Sequence, residues 1–296
     1  MAHRLFLRTA GLAVGAATVF ALTACGSSDD SGGKPSVVAS TDVWGSVAAA
    51  VAGPDAEVES LITDPSADPH SHESSAGETA HIAEADLVVF NGGGYDEFVE
   101  QALDGRDTPA VDAYSVRADQ SEENEHVWYD VATVATVADA IATELGRIDA
   151  ANAQGYTDRA AEFKGELAGI TALTDRIAAA TPDTPVLQTE PLAYYLLRAA
   201  KVRDLTPEEF QEAIEQETDP APAAVAATRD LLTGKQVRVL VYNVQTEGQI
   251  TRDLRGLAQQ NSIPVLEVTE TLPDGVDYIT WQTANAEALA AAVSPS

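Results

Sequence analysis

The sequence predicts an α/β protein of two lobes, each a mainly parallel sheet flanked by helices. Short β-rich apolar segments alternate with helical segments through about residue 115, and the same rhythm resumes near residue 186. A helical, alanine-rich stretch, 130–180, separates the two alternating regions. Hydrophobic residues make up 45% of the 296-residue chain, which is enough for substantial cores. Two α/β halves joined by one long helix are the simplest assembly.

The N-terminal half reads as four strands and three intervening helices. Asp42 is placed to cap the first helix, which stops at Gly53-Pro54. A run of three glycines, 92–94, forms the turn after the third strand. The predicted strands are 37–41, 57–62, 86–91 and 110–113, and the predicted helices are 43–52, 76–85 and 95–103.

The middle and the C-terminal half begin with two helices, 130–147 and 152–180. The second places Phe163, Leu167, Ile170, Leu173 and Ile177 on one face and ends at a Pro-containing turn, 181–185. The predicted strands that follow are 186–188, 237–242 and 264–268, and the predicted helices are 191–201, 208–217, 220–233, 248–260 and 278–293.

These elements predict a division of the chain into lobes. We expect an N-terminal lobe over 36–150, a long linker helix over 151–181 and a C-terminal lobe over 182–296. A helical connection allows less hinge freedom between lobes than a pair of extended strands.

The N-terminus is predicted to be a processing signal and a tether. Basic residues precede an apolar, small-residue run that is too short for a permanent transmembrane helix. The run ends Leu-Thr-Ala-Cys-Gly, which resembles the lipobox of bacterial lipoproteins. The resemblance implies a signal peptide over 1–24, acylation of Cys25, and a lipid anchor on the extracytoplasmic face of the cell membrane. Residues 25–35 form the lipidated flexible tether.

Composition bounds the possible partners. With 17 basic and 47 acidic residues, the formal net charge is −30. No basic stripe exists to neutralise phosphates, so nucleic acid is excluded as a partner. Strong acidity usually serves solubility, and it is compatible with a cationic ligand. Cys25 is the only cysteine, so no intramolecular disulfide is possible.

The few possible metal ligands are the most informative residues. His70 follows Asp68-Pro69, and His126 lies between an acidic run and Trp128. Glu190 and Glu270 follow β-like runs in the other half of the chain. Two imidazoles from one half and two carboxylates from the other predict a four-ligand pocket for a divalent transition metal between two lobes.

The segments that carry these histidines resemble the metal-binding solute-binding proteins of zinc and manganese ABC transporters, bacterial solute-binding protein family 9. The Asp-Pro-His motif at 68–70 and the Ala-Asp-Leu-Val-Val-Phe-Asn-Gly strand at 85–92 carry the resemblance, which extends over nearly the whole chain after residue 24. It implies a ligand cleft between lobes and the ligands His70, His126, Glu190 and Glu270. It also implies delivery of the metal to an ABC transporter permease, and we expect a monomer. The family commonly has Asp at the last position, so Glu270 departs from its pattern.

The identity of the metal stays open between zinc and manganese, with iron also compatible with the ligand types. Within the family, His-His-Glu-carboxylate sites are often associated with manganese. General affinity order favours zinc at nitrogen and oxygen sites. The long histidine-rich loop of many zinc members is absent here, since only 120–125 precedes His126.

The sequence also offers other candidate residues and two alternative functions. His72 is a candidate for metal capture, His81 is expected on a solvated helix face, and Asp68 and Asn91 are candidate partners that orient an imidazole. The alternatives are a metal-dependent hydrolase lipoprotein and a surface adhesin. The sequence after residue 25 contains no His-Glu-x-x-His, Gly-x-Ser-x-Gly or P-loop motif, so we predict a carrier rather than an enzyme.

Overall fold

The computed structural model describes Met1 and residues 33–67, 69–216 and 218–294. The predicted signal peptide, the lipid-attachment residue Cys25 and most of the predicted tether lie outside the described residues. Asp68, a candidate partner of an imidazole, lies outside them as well.

The first sheet comes from the N-terminal half of the chain and has four parallel strands in the order β2-β1-β3-β4. β3 is buried along its whole length, because helices cover both faces of a parallel sheet. The strands are β1 Ser36–Thr41, β2 Glu57–Ile62, β3 Leu87–Phe90 and β4 Ala110–Asp112, and the helices between them are α1 Asp42–Ala52, α2 Ala76–Glu84 and α3 Glu97–Leu103.

Two helices then lead to the second half. They are α4 Val131–Ile148 and α5 Ala153–Ala180. The buried face of the 28-residue α5 includes Phe163, Leu167, Ile170 and Ile177, as the helical spacing predicts. Leu173 is only half-buried, and Thr174 takes the buried position beside it.

The second sheet is also parallel, with the order β6-β5-β7-β8. Its strands are β5 Pro185–Gln188, β6 Arg203–Asp204, β7 Val239–Asn243 and β8 Val265–Val268. Its helices are α6 Tyr194–Ala199, α7 Glu208–Glu215, α8 Pro222–Thr233, α9 Gln249–Gln260 and α10 Tyr278–Val293. The predicted fold, two helix-flanked parallel sheets with a long helix between them, is therefore confirmed.

Three local predictions differ from the structure. The two-residue edge strand β6 was not predicted, because it carries too little apolar sequence to show a pattern. The helix predicted from residue 191 begins as a 3-10 turn, Pro191–Ala193. Asp42 does not cap α1: it is the first helical residue, and its carboxylate accepts a hydrogen bond from the Leu272 amide at 3.1 Å. Burial raises the pKa of Asp42 to about 6.

One continuous hydrophobic cluster links the two sheets. It contains β1 and β3 side chains, the buried face of α5, β5 and β7 side chains and the aromatic residues of α10. Trp44, Trp128 and Trp281 are all buried within it. The two lobes therefore share a core through the helices that lie between them.

Hydrogen bonds also cross between the lobes near α10. The Tyr278 amide donates to Ser46 Oγ at 2.9 Å, and the Tyr278 hydroxyl donates to the Trp128 carbonyl at 2.7 Å. Because Tyr278 is fully buried, these bonds satisfy polar groups that water does not reach.

None of the helices within the described residues combines the length and apolarity that a bilayer-spanning segment requires.

We predict that Phe163→Ala lowers the free energy of unfolding by about 3–5 kcal/mol, because it opens a cavity where α5 meets α10. Phe163 is 3% exposed, and its ring centroid lies 6.0 Å from that of Tyr278. Urea denaturation measures the change. Glu162→Ala, at an exposed neighbouring position of α5, is the control and should cost less than about 0.5 kcal/mol. Equal losses in the two variants would contradict the shared core.

Candidate metal site

The four predicted ligands all lie beyond the carboxyl ends of parallel strands. His70 is in the 3-10 turn Pro69–Ser71 after β2, and His126 precedes the 3-10 turn Val127–Tyr129 after β4. Glu190 directly follows β5, and Glu270 follows β8. Ligands of open α/β sheets bind at this edge, where loops from neighbouring strands converge.

His70 connects the two halves of the site. Its Nε2 lies 3.9 Å from Glu270 Oε2, and its Nδ1 lies 3.4 Å from Glu125 Oε1. Its ring is edge-on to Tyr95, with centroids 4.7 Å apart, and 6.1 Å from the ring of His126. A single side chain of the N-terminal half thus reaches a carboxylate of the C-terminal half.

His126 is 1% exposed and is held by its own loop. The Asn124 side-chain oxygen accepts from the His126 amide at 3.0 Å and lies 3.3 Å from His126 Nδ1. Trp128 packs edge-on against the imidazole, with ring centroids 5.2 Å apart. Burial, with a smaller effect from His70, holds the pKa of His126 well below its ordinary value. The neutral imidazole, which is the form that binds metals, is therefore favoured.

Glu190 and Glu270 are 4% and 2% exposed, and they share one hydrogen-bond donor. The Asn243 side-chain amide donates to Oε1 of Glu190 and to Oε1 of Glu270, the latter at 2.8 Å. Thr246 donates to Glu190 Oε2 at 2.9 Å, and the Tyr95 hydroxyl donates to Glu270 Oε2 at 3.1 Å. These bonds offset part of the cost of burying two carboxylates side by side.

The structure therefore brings the predicted residues into one cluster. His70 lies near Glu125, His126 and Glu270, and Asn243 joins Glu270 to Glu190. His72 does not join this cluster: its Nε2 lies 3.2 Å from Glu78 and its ring packs on Phe98.

His81 lies where the sequence predicts it, on the exposed face of α2, 3.3 Å from Glu59.

Sequence reasoning missed Glu125 and Asn243. One ligand atom from each of His70, Glu125 and His126 lies within 4.8 Å of the other two. Burial, then the charge of Asp96, raises the pKa of Glu125 to about 7. Asn243 ends β7, so its place at the carboxyl end of a buried parallel strand was the signal that could have identified it.

The loop that carries Glu125 and His126 is fixed by the end of β3. The Asn91 side-chain amide donates to the Glu125 carbonyl at 2.8 Å. Asp96, which is 1% exposed, accepts from the Asn91 and Gly92 amides at 2.7 and 2.8 Å. Asn91 therefore holds the backbone beside His126, which is a positioning role, although its side chain bonds the loop rather than the imidazole itself.

An open cleft of about 660 Å³ leads to this cluster. Its lining includes His70 and six glutamates from two segments: Glu122, Glu123 and Glu125 on the loop before His126, and Glu208, Glu212 and Glu215 on α7. Burial, then the charges of Glu125 and Glu212, raises the pKa of Glu215 to about 7. An acidic entrance of this kind raises the local concentration of cations.

A family model matches residues 37–292 of the chain, and that family is the periplasmic zinc-uptake complex component A. Among curated relatives, the manganese-binding lipoprotein MntA of Bacillus subtilis (strain 168) is 26% identical over 261 residues, which cover 81% of this chain and 82% of that protein.

Solved structures share the fold. The periplasmic zinc-binding protein TroA of Treponema pallidum matches with a TM-score of 0.74 at 19% identity, covering 89% of this chain and 100% of that one. The laminin-binding protein Lmb of Streptococcus agalactiae, described as bifunctional with adhesin and metal-transporting activity, matches with a TM-score of 0.75 at 21% identity. The match covers 88% of this chain and 100% of Lmb.

We predict that Asp96→Asn destabilises the protein by about 1–3 kcal/mol, because the new NH₂ group must face one of two buried backbone N–H groups. Burial raises the pKa of Asp96 to about 6, so the wild-type group is mainly ionised at pH 7 and accepts both bonds. Urea denaturation at pH 7 measures the loss. Asp107→Asn, at an exposed position between α3 and β4, is the matched control. Indistinguishable midpoints for the two variants would show that Asp96 does not hold the turn.

Proposed function

The chain belongs to the zinc-uptake complex component A family, and from that premise we propose that it captures a divalent transition metal outside the membrane and delivers it to an ABC transporter permease. The proposal is supported most directly by the distance of 3.9 Å between His70 Nε2 and Glu270 Oε2, which come from opposite halves of the chain. A cation bound there would be held by both lobes. Its donors in this proposal are His70, His126, Glu190 and Glu270.

The donor types define the class of ion. Neutral imidazoles and carboxylates suit zinc, manganese and iron as divalent ions. The family description names zinc, and the name of the Bacillus relative names manganese. We therefore propose a divalent transition metal as the transported ligand, with competition between zinc and manganese as the experiment that decides between them.

The proposed donor set favours carriage of the metal over catalysis. Four protein donors would occupy all four positions of a tetrahedral ion, whereas a catalytic zinc keeps one position open for water. The family is defined as a component of an uptake complex, so the prediction that the chain is not an enzyme is confirmed. The adhesin title of Lmb describes that protein, and its 21% identity supports only a common fold.

The cellular setting is part of the proposal. The lipobox-like sequence at Cys25 and the name of the lipoprotein relative support a lipid anchor on the extracytoplasmic face of the membrane. We also propose that the protein acts as a monomer, since the candidate donors all come from a single chain.

We predict that His70→Ala lowers the affinity for zinc or manganese by at least about a hundredfold, since it removes the side chain that contacts both halves of the site. Isothermal titration calorimetry, with a competing chelator where binding is tight, measures the affinity. His81→Ala removes an exposed imidazole of α2 and should bind as the wild type does. Wild-type affinity in His70→Ala would contradict the site.

We also predict that the bound metal raises the melting temperature without any turnover. Ligand at about 100 times its dissociation constant stabilises the folded state by about 2.7 kcal/mol. Differential scanning calorimetry with and without zinc measures the shift, and ester and phosphoester substrates test for hydrolysis. Metal-dependent hydrolysis that persists in the purified protein and disappears in His70→Ala would favour the hydrolase alternative.

A further inference from the structure

Glu125 has the geometry of an additional donor to the ion. Its Oε1 lies 3.4 Å from His70 Nδ1, and a triplet of ligand atoms from His70, Glu125 and His126 spans no more than 4.8 Å. Two donors that each lie about 2.1 Å from one tetrahedral ion are about 3.4 Å apart. The carboxylate and the imidazole are therefore already at the separation that a shared ion requires.

The three donors come from two loops at the carboxyl edge of the first sheet. His70 follows β2, while Glu125 and His126 follow β4. The Asn91 side chain fixes the Glu125 carbonyl at 2.8 Å, and the Asn124 side chain accepts from the His126 amide at 3.0 Å. The loop that carries Glu125 and His126 is thus held in place by bonds that do not involve Glu190 or Glu270.

The two carboxylates of the C-terminal lobe are already hydrogen-bonded within the protein. Glu190 and Glu270 both accept hydrogen bonds from Asn243, and Thr246 and Tyr95 add one bond each. An ion that approaches Glu190 and Glu270 must compete with these hydrogen-bond donors for the carboxylate oxygens. Glu125 and His70, in contrast, also line the open cleft, so an ion that enters from solvent meets them first.

We propose that His70, Glu125 and His126 form a three-donor loading site that takes up the divalent ion before Glu190 and Glu270 bind it. The inference rests on the proposed function and adds Glu125 as a donor during loading, before the four final donors complete the shell. Because Glu125 faces Nδ1 of His70 and Glu270 faces Nε2, the ion binds a different nitrogen of the ring in each stage. Glu122 and Glu123 on the loop and Glu208 and Glu212 on α7 serve to attract cations to the cleft, while Glu125 binds the ion directly.

The test uses a variant in which neutral glutamine replaces both glutamates of the C-terminal lobe. In the purified Glu190→Gln/Glu270→Gln double variant, zinc and cobalt binding should persist with reduced affinity. Adding Glu125→Gln should abolish that residual binding, and the visible absorption of protein-bound cobalt should be lost with it. Adding Glu123→Gln, an exposed glutamate on the same loop, should change the residual affinity by less than about threefold.

The outcomes separate the two proposals. Wild-type protein that binds no metal would overturn the proposed function itself. Wild-type binding together with a double variant that binds no metal would overturn only the loading site. Residual binding that survives Glu125→Gln, or that Glu123→Gln weakens as strongly, would show that Glu125 contributes charge to the cleft and is not a donor. Melting of each metal-free variant confirms that the fold is intact.

Discussion

Two buried carboxylates between the sheets are the constraint on which the rest of this structure depends. Glu190 and Glu270 are almost inaccessible to water, and burying charged groups is costly unless other groups compensate them. Asn243 and Thr246 supply neutral donors from the C-terminal half, and Tyr95 supplies one from the N-terminal half. His70 then brings an imidazole nitrogen to Glu270. These contacts reduce the cost of burying the two carboxylates and hold them close together, which is an arrangement suited to a divalent cation.

The fold places these groups with little freedom to separate. Both sheets are parallel, and the site residues follow the carboxyl ends of their strands, so loops from both sheets converge on one cleft. The hydrophobic cluster continues from the first sheet through α5 and α10 to the second. Because packed cores resist deformation, ion binding is expected to rearrange loops and hydrogen bonds more than it rotates the lobes.

The fold, and the residues that come together in the candidate site, could be predicted from the sequence because both depend on local signals. Alternating apolar runs define the strands, and the Asp-Pro-His segment marks His70. The roles of Glu125, Asn243 and Asp42 depend on distances between segments far apart in the chain. Asp42, for example, accepts a hydrogen bond from Leu272, 230 positions away. Capping preference alone cannot foresee a competing partner of that kind, and an acidic run does not reveal which of its members turns inward.

A crystal structure of the protein loaded with zinc tests most directly whether both lobes hold the metal. We expect a single ion bonded simultaneously to His70 and Glu270, with His126 and Glu190 completing its shell and the Asn243 amide displaced from at least one carboxylate. An ion held entirely by side chains of one half, or bound at the cleft surface away from His70, would contradict the claim that both lobes hold the metal.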